Sequence, residues 1–325
     1  MTNRREGYKG VVNRISNMRE RELRRSLWIA GAVLVVVVVL FFGYYFVDRY
    51  MVPRGAPAAT NLSADKLEQA VRDNPQAPEL RVALAQQYLK DGKNAEAVDQ
   101  SSQVLAAFPD NEEALMVAGT ALTRANRPQE AITRFEALAK LIEARSKTGK
   151  DINLEATYYF LGQNYNSTGQ HDKALAVLET ALKIDPTDAD ALYQAGLASQ
   201  ATKQYDKAVG YYNKAARLVP DFTEAYNGLI DTYTALNQPE NIAWTRGMQA
   251  YSVKDYKTAQ TYLESAVKAQ PTNAQAYFGL ALTYEKLDRK PDAFRVIQSA
   301  MQLDPENVGI QQAFGRLQTD LKAKQ

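Results

Sequence analysis

Alanine recurs in this chain at a fixed spacing. The step between neighbouring alanines is 34 residues in three places, and prolines further along keep the same step. Self-similarity at this period is typical of stacked helix pairs, because one pair cannot bury its apolar face without its neighbours. The sequence therefore predicts an array of repeated helices. The alanines are Ala97, Ala131, Ala174, Ala208, Ala259 and Ala293, and the prolines with matching steps are Pro186, Pro220, Pro271 and Pro305.

The formal net charge of +2 conceals an uneven distribution. The first 50 residues hold nine Lys or Arg and four Asp or Glu, which leaves 30 basic and 33 acidic residues in the rest of the chain. Because that larger part is slightly acidic, it lacks the basic surface that nucleic-acid binding requires, and we expect no nucleic-acid partner. Cysteine is absent, which excludes disulfides, thiol nucleophiles and cysteine metal ligands.

An uncharged apolar run begins at Leu27 and ends at Val47. Its 21 residues are enough for a helix to cross a hydrocarbon core of about 30 Å, so the run predicts a single transmembrane helix. A cleaved signal peptide is the alternative, because residues 56–58 form a small-residue triplet, although the apolar run is longer than a signal sequence needs. More Lys and Arg residues precede the run than follow it. This bias predicts a protein of the plasma membrane with a cytoplasmic N-terminus and extracytoplasmic repeats.

Small residues recur at two positions of each 34-residue unit. Position 8 holds Gly or Ala and position 20 holds Ala, so two helices can cross closely there, with large residues such as Phe135, Leu178 and Tyr212 at position 24 filling the space around them. These positions resemble the tetratricopeptide repeat. The resemblance implies an all-α, right-handed superhelix of helix-turn-helix units with a concave groove. The units begin at Pro78, Glu112, Glu155, Ala189, Glu240 and Ala274, and position 8 is Ala85, Gly119, Gly162, Gly196, Gly247 and Ala281.

This register divides the chain into four predicted segments. Residues 1–26 are a basic cytoplasmic segment, 27–47 the transmembrane helix, 48–62 a linker and 63–325 the solenoid. Two irregularities interrupt the solenoid: residues 139–154 lengthen a helix and add a loop, and residues 223–239 supply one extra helix. The predicted units are 78–111, 112–154, 155–188, 189–222, 240–273 and 274–307, and 308–325 is a cap.

Candidate catalytic groups are missing from the sequence. His171 is the only histidine, and the register places it in the turn between two helices, without a partner for a zinc site or a catalytic triad. No Gly-rich phosphate loop follows a predicted strand. We therefore expect no enzyme, no metal, no cofactor and no small-molecule substrate.

The resemblance implies a ligand groove along the first helices, at positions 2, 5, 9 and 12 of each unit. Packing within a unit does not need these side chains, so their aromatic, Met and amide groups predict an exposed strip that anchors a protein or peptide partner. The alternative is that part of the strip packs against the chain itself. The predicted groove residues are Val82, Gln86, Met116, Thr120, Tyr159, Gln163, Asn166, Tyr193, Leu197, Asn227, Asp231, Trp244, Met248, Tyr251, Phe278 and Leu282.

The anchor, the repeats and the lack of catalytic groups together predict a membrane-anchored scaffold or adaptor that assists the assembly of an envelope or membrane complex. Two alternatives remain open. One is a c-type cytochrome maturation factor that presents apocytochrome, because the segment after the apolar run looks like the anchored repeat proteins of that pathway. The other is an accessory of the secretion machinery.

Overall fold

A computed structural model describes residues 62–146 and 151–322. The chain divides into two units, residues 1–67 and 68–325, and the first is described only from residue 62. The predicted basic segment, the predicted transmembrane helix at residues 27–47 and nearly all of the predicted linker lie outside the described residues. Within the described ranges, every helix is too short or too polar to cross a membrane.

Helices form all the regular structure of the described residues, as the sequence predicts, and no strand occurs among them. Fifteen helices follow one another, most of them 13 or 14 residues long. They are α1 (Ala64–Asp73), α2 (Pro78–Lys90), α3 (Asn94–Ala107), α4 (Glu112–Arg124), α5 (Pro128–Arg145), α6 (Ile152–Ser167), α7 (His171–Ile184), α8 (Ala189–Ala201), α9 (Tyr205–Leu218), α10 (Thr223–Ala235), α11 (Pro239–Ser252), α12 (Tyr256–Ala269), α13 (Ala274–Lys286), α14 (Lys290–Leu303) and α15 (Val308–Lys322).

Helix starts are fixed by local chemistry. Asn111 Oδ1 accepts a hydrogen bond from the Ala114 amide at 2.8 Å, and Asp188 Oδ1 accepts one from the Ala191 amide at 3.1 Å. Each bond satisfies a backbone N–H that has no partner within the helix, as an N-cap does. Such caps start α4 and α8, the first helices of their pairs.

Close crossings hold the pairs together at the small residues. All six recurring alanines are 0% exposed. A Cβ atom at Gly196 would lie 2.5 Å from Tyr212 Cε1, and one at Gly119 would lie 2.6 Å from Phe135 Cζ. These separations are shorter than carbon atoms tolerate, so position 8 must be glycine where position 24 is this large.

Two kinds of connection alternate along the array. The two helices of a pair are joined by a short turn with one residue in the left-handed region, such as Gly92 (φ 74°) or Lys203 (φ 60°). Most successive pairs are joined by a connection that contains proline, such as Pro186, although residues 146–151 between α5 and α6 include none. Helix α11 has the first kind of turn on both sides, at Asn237 (φ 53°) and at Lys254 (φ 64°).

Helix α11 is therefore used twice. Its N-terminal turn makes it the second helix of a pair with α10, and its C-terminal turn makes it the first helix of a pair with α12. In agreement with both roles, it packs against α10, α12 and α13. We call this place, from Thr223 to Ser252, the repeat break.

The insertion near residue 146 lengthens two helices. Helix α5 has 18 residues against 14 in α7, and α6 has 16 against 13 in α8. Arg145 Nη2 lies 3.2 Å from Glu112 Oε2 and 3.1 Å from Asp151 Oδ2, which ties the end of α5 to both neighbouring helices. Residues 147–150 of the predicted loop lie outside the described residues.

Candidate functional site

Eight of the sixteen predicted groove residues line three separate depressions. The largest is an open groove of about 720 Å³ formed by α6, α8 and α10, the second a cavity of about 330 Å³ at the repeat break, and the third a pocket of about 240 Å³ beside the insertion. The groove brings together Gln163, Asn166, Leu197 and Asp231; the cavity brings together Trp244, Met248 and Phe278; and the pocket takes Met116.

The prediction of an exposed strip is wrong at four positions, which are at most 8% exposed. Neighbouring helices cover them: Trp244 and Met248 lie on α11, which packs between α10 and α13, and a Cβ atom at Gly279 would collide with Met248. These side chains contribute to the packing of the array. The four are Val82, Trp244, Met248 and Leu282, with exposures of 2%, 6%, 4% and 8%.

Six further predicted residues already have partners within the chain. Tyr159 is an example: its ring meets Phe160 edge-on at 5.1 Å, and burial, followed by Asp190, raises its pKa to about 12. Its hydroxyl group stays protonated at neutral pH. The others are Gln86, bonded to Glu113; Thr120, against the sulfur of Met116; Tyr193, against Tyr212 and Phe222; Asn227, bonded to Gln249; and Tyr251, against Tyr256.

The open groove, which we call the amide groove, has amide side chains around a small apolar floor. Gln194, Leu197 and Gln200 follow one face of α8 at intervals of three residues, and Leu197 is half-buried. Gln200 lies at position 12 of its unit, one of the four positions at which the resemblance implies a groove. Gln194, at position 6, was not predicted, although the face that it shares with Leu197 was a signal for it. Sequence reasoning also missed His171 and Tyr205, which only the meeting of the helix pairs brings to the groove. The register placed His171 in a turn, but it is the first residue of α7, as Tyr205 is of α9.

Hydrogen bonds from the core orient these amides. Tyr212, which is 0% exposed, donates its hydroxyl hydrogen to Gln200 Oε1 at 2.8 Å. Asn166 Nδ2 donates to Gln194 Oε1 at 3.0 Å and to the Gln194 carbonyl oxygen at 2.9 Å. Since the oxygen atoms of both glutamines are engaged, their Nε2 groups remain as donors held in fixed orientations.

Other polar groups in the amide groove have no partner in the described part of the chain. Gln163, Tyr205 and Asp231 make no side-chain hydrogen bond or ion pair there. His171 Nδ1 lies 3.2 Å from Asn166 Oδ1. The groove thus offers amide donors together with carboxylate and hydroxyl acceptors, the set that the alternating C=O and N–H groups of an extended backbone need.

Comparison with protein families tests the resemblance that the sequence suggested. Models described as tetratricopeptide repeat match residues 82–146, 245–308 and 189–222, and one described as TPR repeat matches residues 162–203. These matches cover more than half of the chain. The chain belongs to the tetratricopeptide repeat family. Its described part is an all-helical tetratricopeptide solenoid.

Similar proteins share these repeats at low identity. DnaJ homolog subfamily C member 7 of Homo sapiens is 29% identical over 140 residues, which are 42% of this chain and 27% of that protein. BBSome complex member BBS4 of Bos taurus is 23% identical over 260 residues, which are 76% of this chain and 45% of that protein. The chain therefore spans less than half the length of each.

Among solved structures, this tetratricopeptide chain is similar to YrrB, described as a TPR protein with an unusual peptide-binding site. The two are 18% identical, the TM-score is 0.46, and the match covers 66% of this chain and 97% of YrrB.

Proposed function

We propose that this tetratricopeptide repeat protein is a non-enzymatic scaffold that captures an extended segment of another protein in the amide groove. Tetratricopeptide repeats in general mediate protein–protein interaction and peptide binding. The observation that carries the proposal is the pair of glutamine amides, Gln194 and Gln200, whose oxygen atoms are engaged and whose donors are free.

The fixed donors explain how a peptide gains affinity in the amide groove. Donors that are already oriented lose little side-chain freedom when they bind a carbonyl oxygen. The buried Tyr212 hydroxyl acts through Gln200 and is a positioning group. Asp231 is the only Asp, Glu, Lys or Arg among the residues that line the groove, so a segment with a Lys or Arg near that carboxylate is favoured over an acidic one.

The membrane part of the proposal rests on the sequence. Residues 27–47 would anchor the chain in the plasma membrane, with a cytoplasmic N-terminus and extracytoplasmic repeats, and the captured segment would belong to an envelope or membrane complex under assembly. The uncharged 21-residue run and the excess of basic residues before it support this placement. Reporter fusions before Leu27 and after Gln325 test it: activity of a periplasm-only reporter at the N-terminus would reverse the orientation.

The binding test uses the full chain and a displayed library of random 12-residue peptides. Selected peptides are measured by fluorescence anisotropy against the parent and the double variant Gln194→Ala/Gln200→Ala, which we expect to weaken binding at least tenfold, a change of about 1.4 kcal/mol. The control is Gln298→Ala, an exposed glutamine on α14, which should bind as the parent does. If no peptide is selected, or if the double variant binds equally well, the proposal is wrong.

A second variant separates positioning from packing. Tyr212→Phe keeps the buried ring and removes only the hydroxyl group that holds Gln200. We expect several-fold weaker peptide binding with a loss of folding stability of only about 1 kcal/mol. A loss of binding only when the protein unfolds would indicate a purely structural role for Tyr212.

A further inference from the structure

The repeat break contains a cavity between four helices. Helices α9, α10, α11 and α13 meet there, because α10 continues directly into α11 without a proline-containing connection between pairs. The cavity, about 330 Å³, is lined by aromatic rings with amide groups among them. Its walls include Tyr226, Tyr233, Trp244, Phe278, Asn213 and Asn241. We call it the break cavity.

The indole N–H of Trp244 is a donor at the wall of the break cavity. Trp244 as a whole is 6% exposed, and its N–H donates no hydrogen bond within the described residues. The nitrogen atom itself is not fully buried. An acceptor atom that enters the cavity can therefore accept a hydrogen bond from the Trp244 N–H.

Two cations without partners adjoin the same place. Arg217 lines both the break cavity and a neighbouring pocket of about 270 Å³, and Lys214 lines that neighbouring pocket. Neither side chain has an ion pair or hydrogen bond within residues 62–146 and 151–322. An arginine beside an aromatic wall suits a carboxylate attached to an apolar group, since the guanidinium pairs with the charge while the rings cover the apolar part.

We propose that the break cavity is a second binding site, for a peptide segment of a partner protein that carries an aromatic or large aliphatic side chain next to a carboxylate. The side chain enters between Tyr233 and Phe278, the Trp244 N–H donates to an oxygen of the segment, and Arg217 pairs with the carboxylate. At this volume the cavity is at the small end of ligand pockets and holds one side chain with its flanking backbone.

Charge complementarity selects this occupant. The first 50 residues of the chain itself carry nine basic and four acidic residues, so their net charge has the same sign as Arg217 and Lys214 and does not complement them. An acidic apolar segment of another protein is attracted by the same two cations. The site differs from the amide groove in its residues and in the sign of the charge that it prefers, and it does not rest on the proposal for that groove.

Trp244 itself reports on the break cavity. The full chain has two tryptophans, so Trp28→Phe leaves Trp244 as the only indole. The probe is the capped tripeptide acetyl-Glu-Phe-Glu-amide, added up to 10 mM, with acetyl-Gln-Phe-Gln-amide and acetyl-Glu-Ala-Glu-amide as controls for charge and ring. We expect a saturable change in Trp244 emission with the first peptide and at least tenfold weaker binding of both controls.

Matched variants in the Trp28→Phe background locate the interaction. Arg217→Gln removes an exposed charge and should weaken the tripeptide at least fivefold, whereas Lys183→Gln, at the same position of α7 and also exposed, should leave it unchanged. The double variant Gln194→Ala/Gln200→Ala changes only the amide groove and should bind the tripeptide as the parent does. Loss of binding in the break cavity can therefore be told apart from loss of binding in the amide groove. Three outcomes overturn the proposal: no saturable change, no loss with Arg217→Gln, or an emission change that follows protein concentration alone and so reports a second copy of the chain.

Discussion

The pair α8–α9 and the repeat break use the same residue positions for different purposes. Position 5 is Tyr193 in α8 and Trp244 in α11; Tyr193 is half-buried beside Tyr212 and Phe222, whereas Trp244 is 6% exposed. The packing within each pair is nevertheless alike, since a Cβ atom at Gly196 or at Gly247 would lie 2.5 Å from the residue at position 24. The signature thus fixes how two helices cross, and the surrounding helices decide what remains exposed.

Tyr212 connects the two regions and gives the largest expected effect. A Cβ atom at Gly196 or at Gly228 would lie 2.5 Å from its ring, so helices on both sides pack against it. We expect Tyr212→Ala to lower the free energy of unfolding by about 3–5 kcal/mol. Leu263→Ala, at position 24 beyond the break, should cost less. Urea denaturation measures both, and an equal loss would contradict the bridging role of Tyr212.

Glycine at position 8 provides the next comparison. Gly196→Ala places a methyl group against Tyr212 and should cost about 1–3 kcal/mol, and Gly247→Ala should cost as much against Leu263. The control is Gly210→Ala in α9, where a Cβ atom would meet nothing within 4 Å. Because alanine is the better helix former, that variant should gain about 0.5–1 kcal/mol. Thermal melts of the three variants measure these changes. A smaller loss for Gly247→Ala than for Gly196→Ala would contradict the expectation and indicate that α11 and α12 cross less closely than α8 and α9.

Glu155 gives the regular array a pH dependence. Glu155 is 6% exposed, and burial, then a hydrogen bond with Asp188, raises the pKa of its carboxyl group from 4.5 to about 7. The folded state therefore binds a proton more readily than the unfolded chain. Its stability should fall as pH rises from about 4.5 to about 7 and then level off.

Glu155→Gln tests this linkage by removing the titrating group. The variant should lose that part of the pH dependence and exceed the parent by on the order of 1 kcal/mol at pH 8, in urea titrations at pH 5 and pH 8. The matched control Glu240→Gln, an exposed residue at position 1 near the break, should change neither value. A parent protein that is equally stable at both pH values would contradict the shift.

The turns give the smallest effect. Lys203 in the regular array and Lys254 after the break both have left-handed backbones, with φ of 60° and 64°. Lysine is disfavoured there and glycine is not, so Lys203→Gly and Lys254→Gly should each gain less than about 1 kcal/mol. If both variants raise the melting temperature equally, the turn after α11 is of the same kind as the turn in the regular array. If Lys254→Gly alone lowers the melting temperature, the turn after α11 is held differently.

Much of the fold was predictable because its signals are local. Alanine at position 20, glycine at position 8 and a large side chain at position 24 sit at fixed distances along the chain, and the crossing that they predict is present at Gly196 and Tyr212. The amide groove was predictable in part: Asn166 and Leu197 lie in it, but Gln194 and Tyr205 were missed. Their place depends on how one pair meets the next, which no spacing within a unit encodes.

By itself, the sequence determined the helix pairs, their register and the residues at their crossings, because these depend on side-chain size at fixed spacings within a 34-residue unit. Only the tertiary structure decided which side chains of the predicted strip remain exposed. Helix α11 has the sequence of a first helix and also packs as the second helix of α10, and this double use buries Trp244 and Met248 beside the break cavity. Exposure is a property of all the helices that surround a residue, so a pattern read along one helix does not contain it.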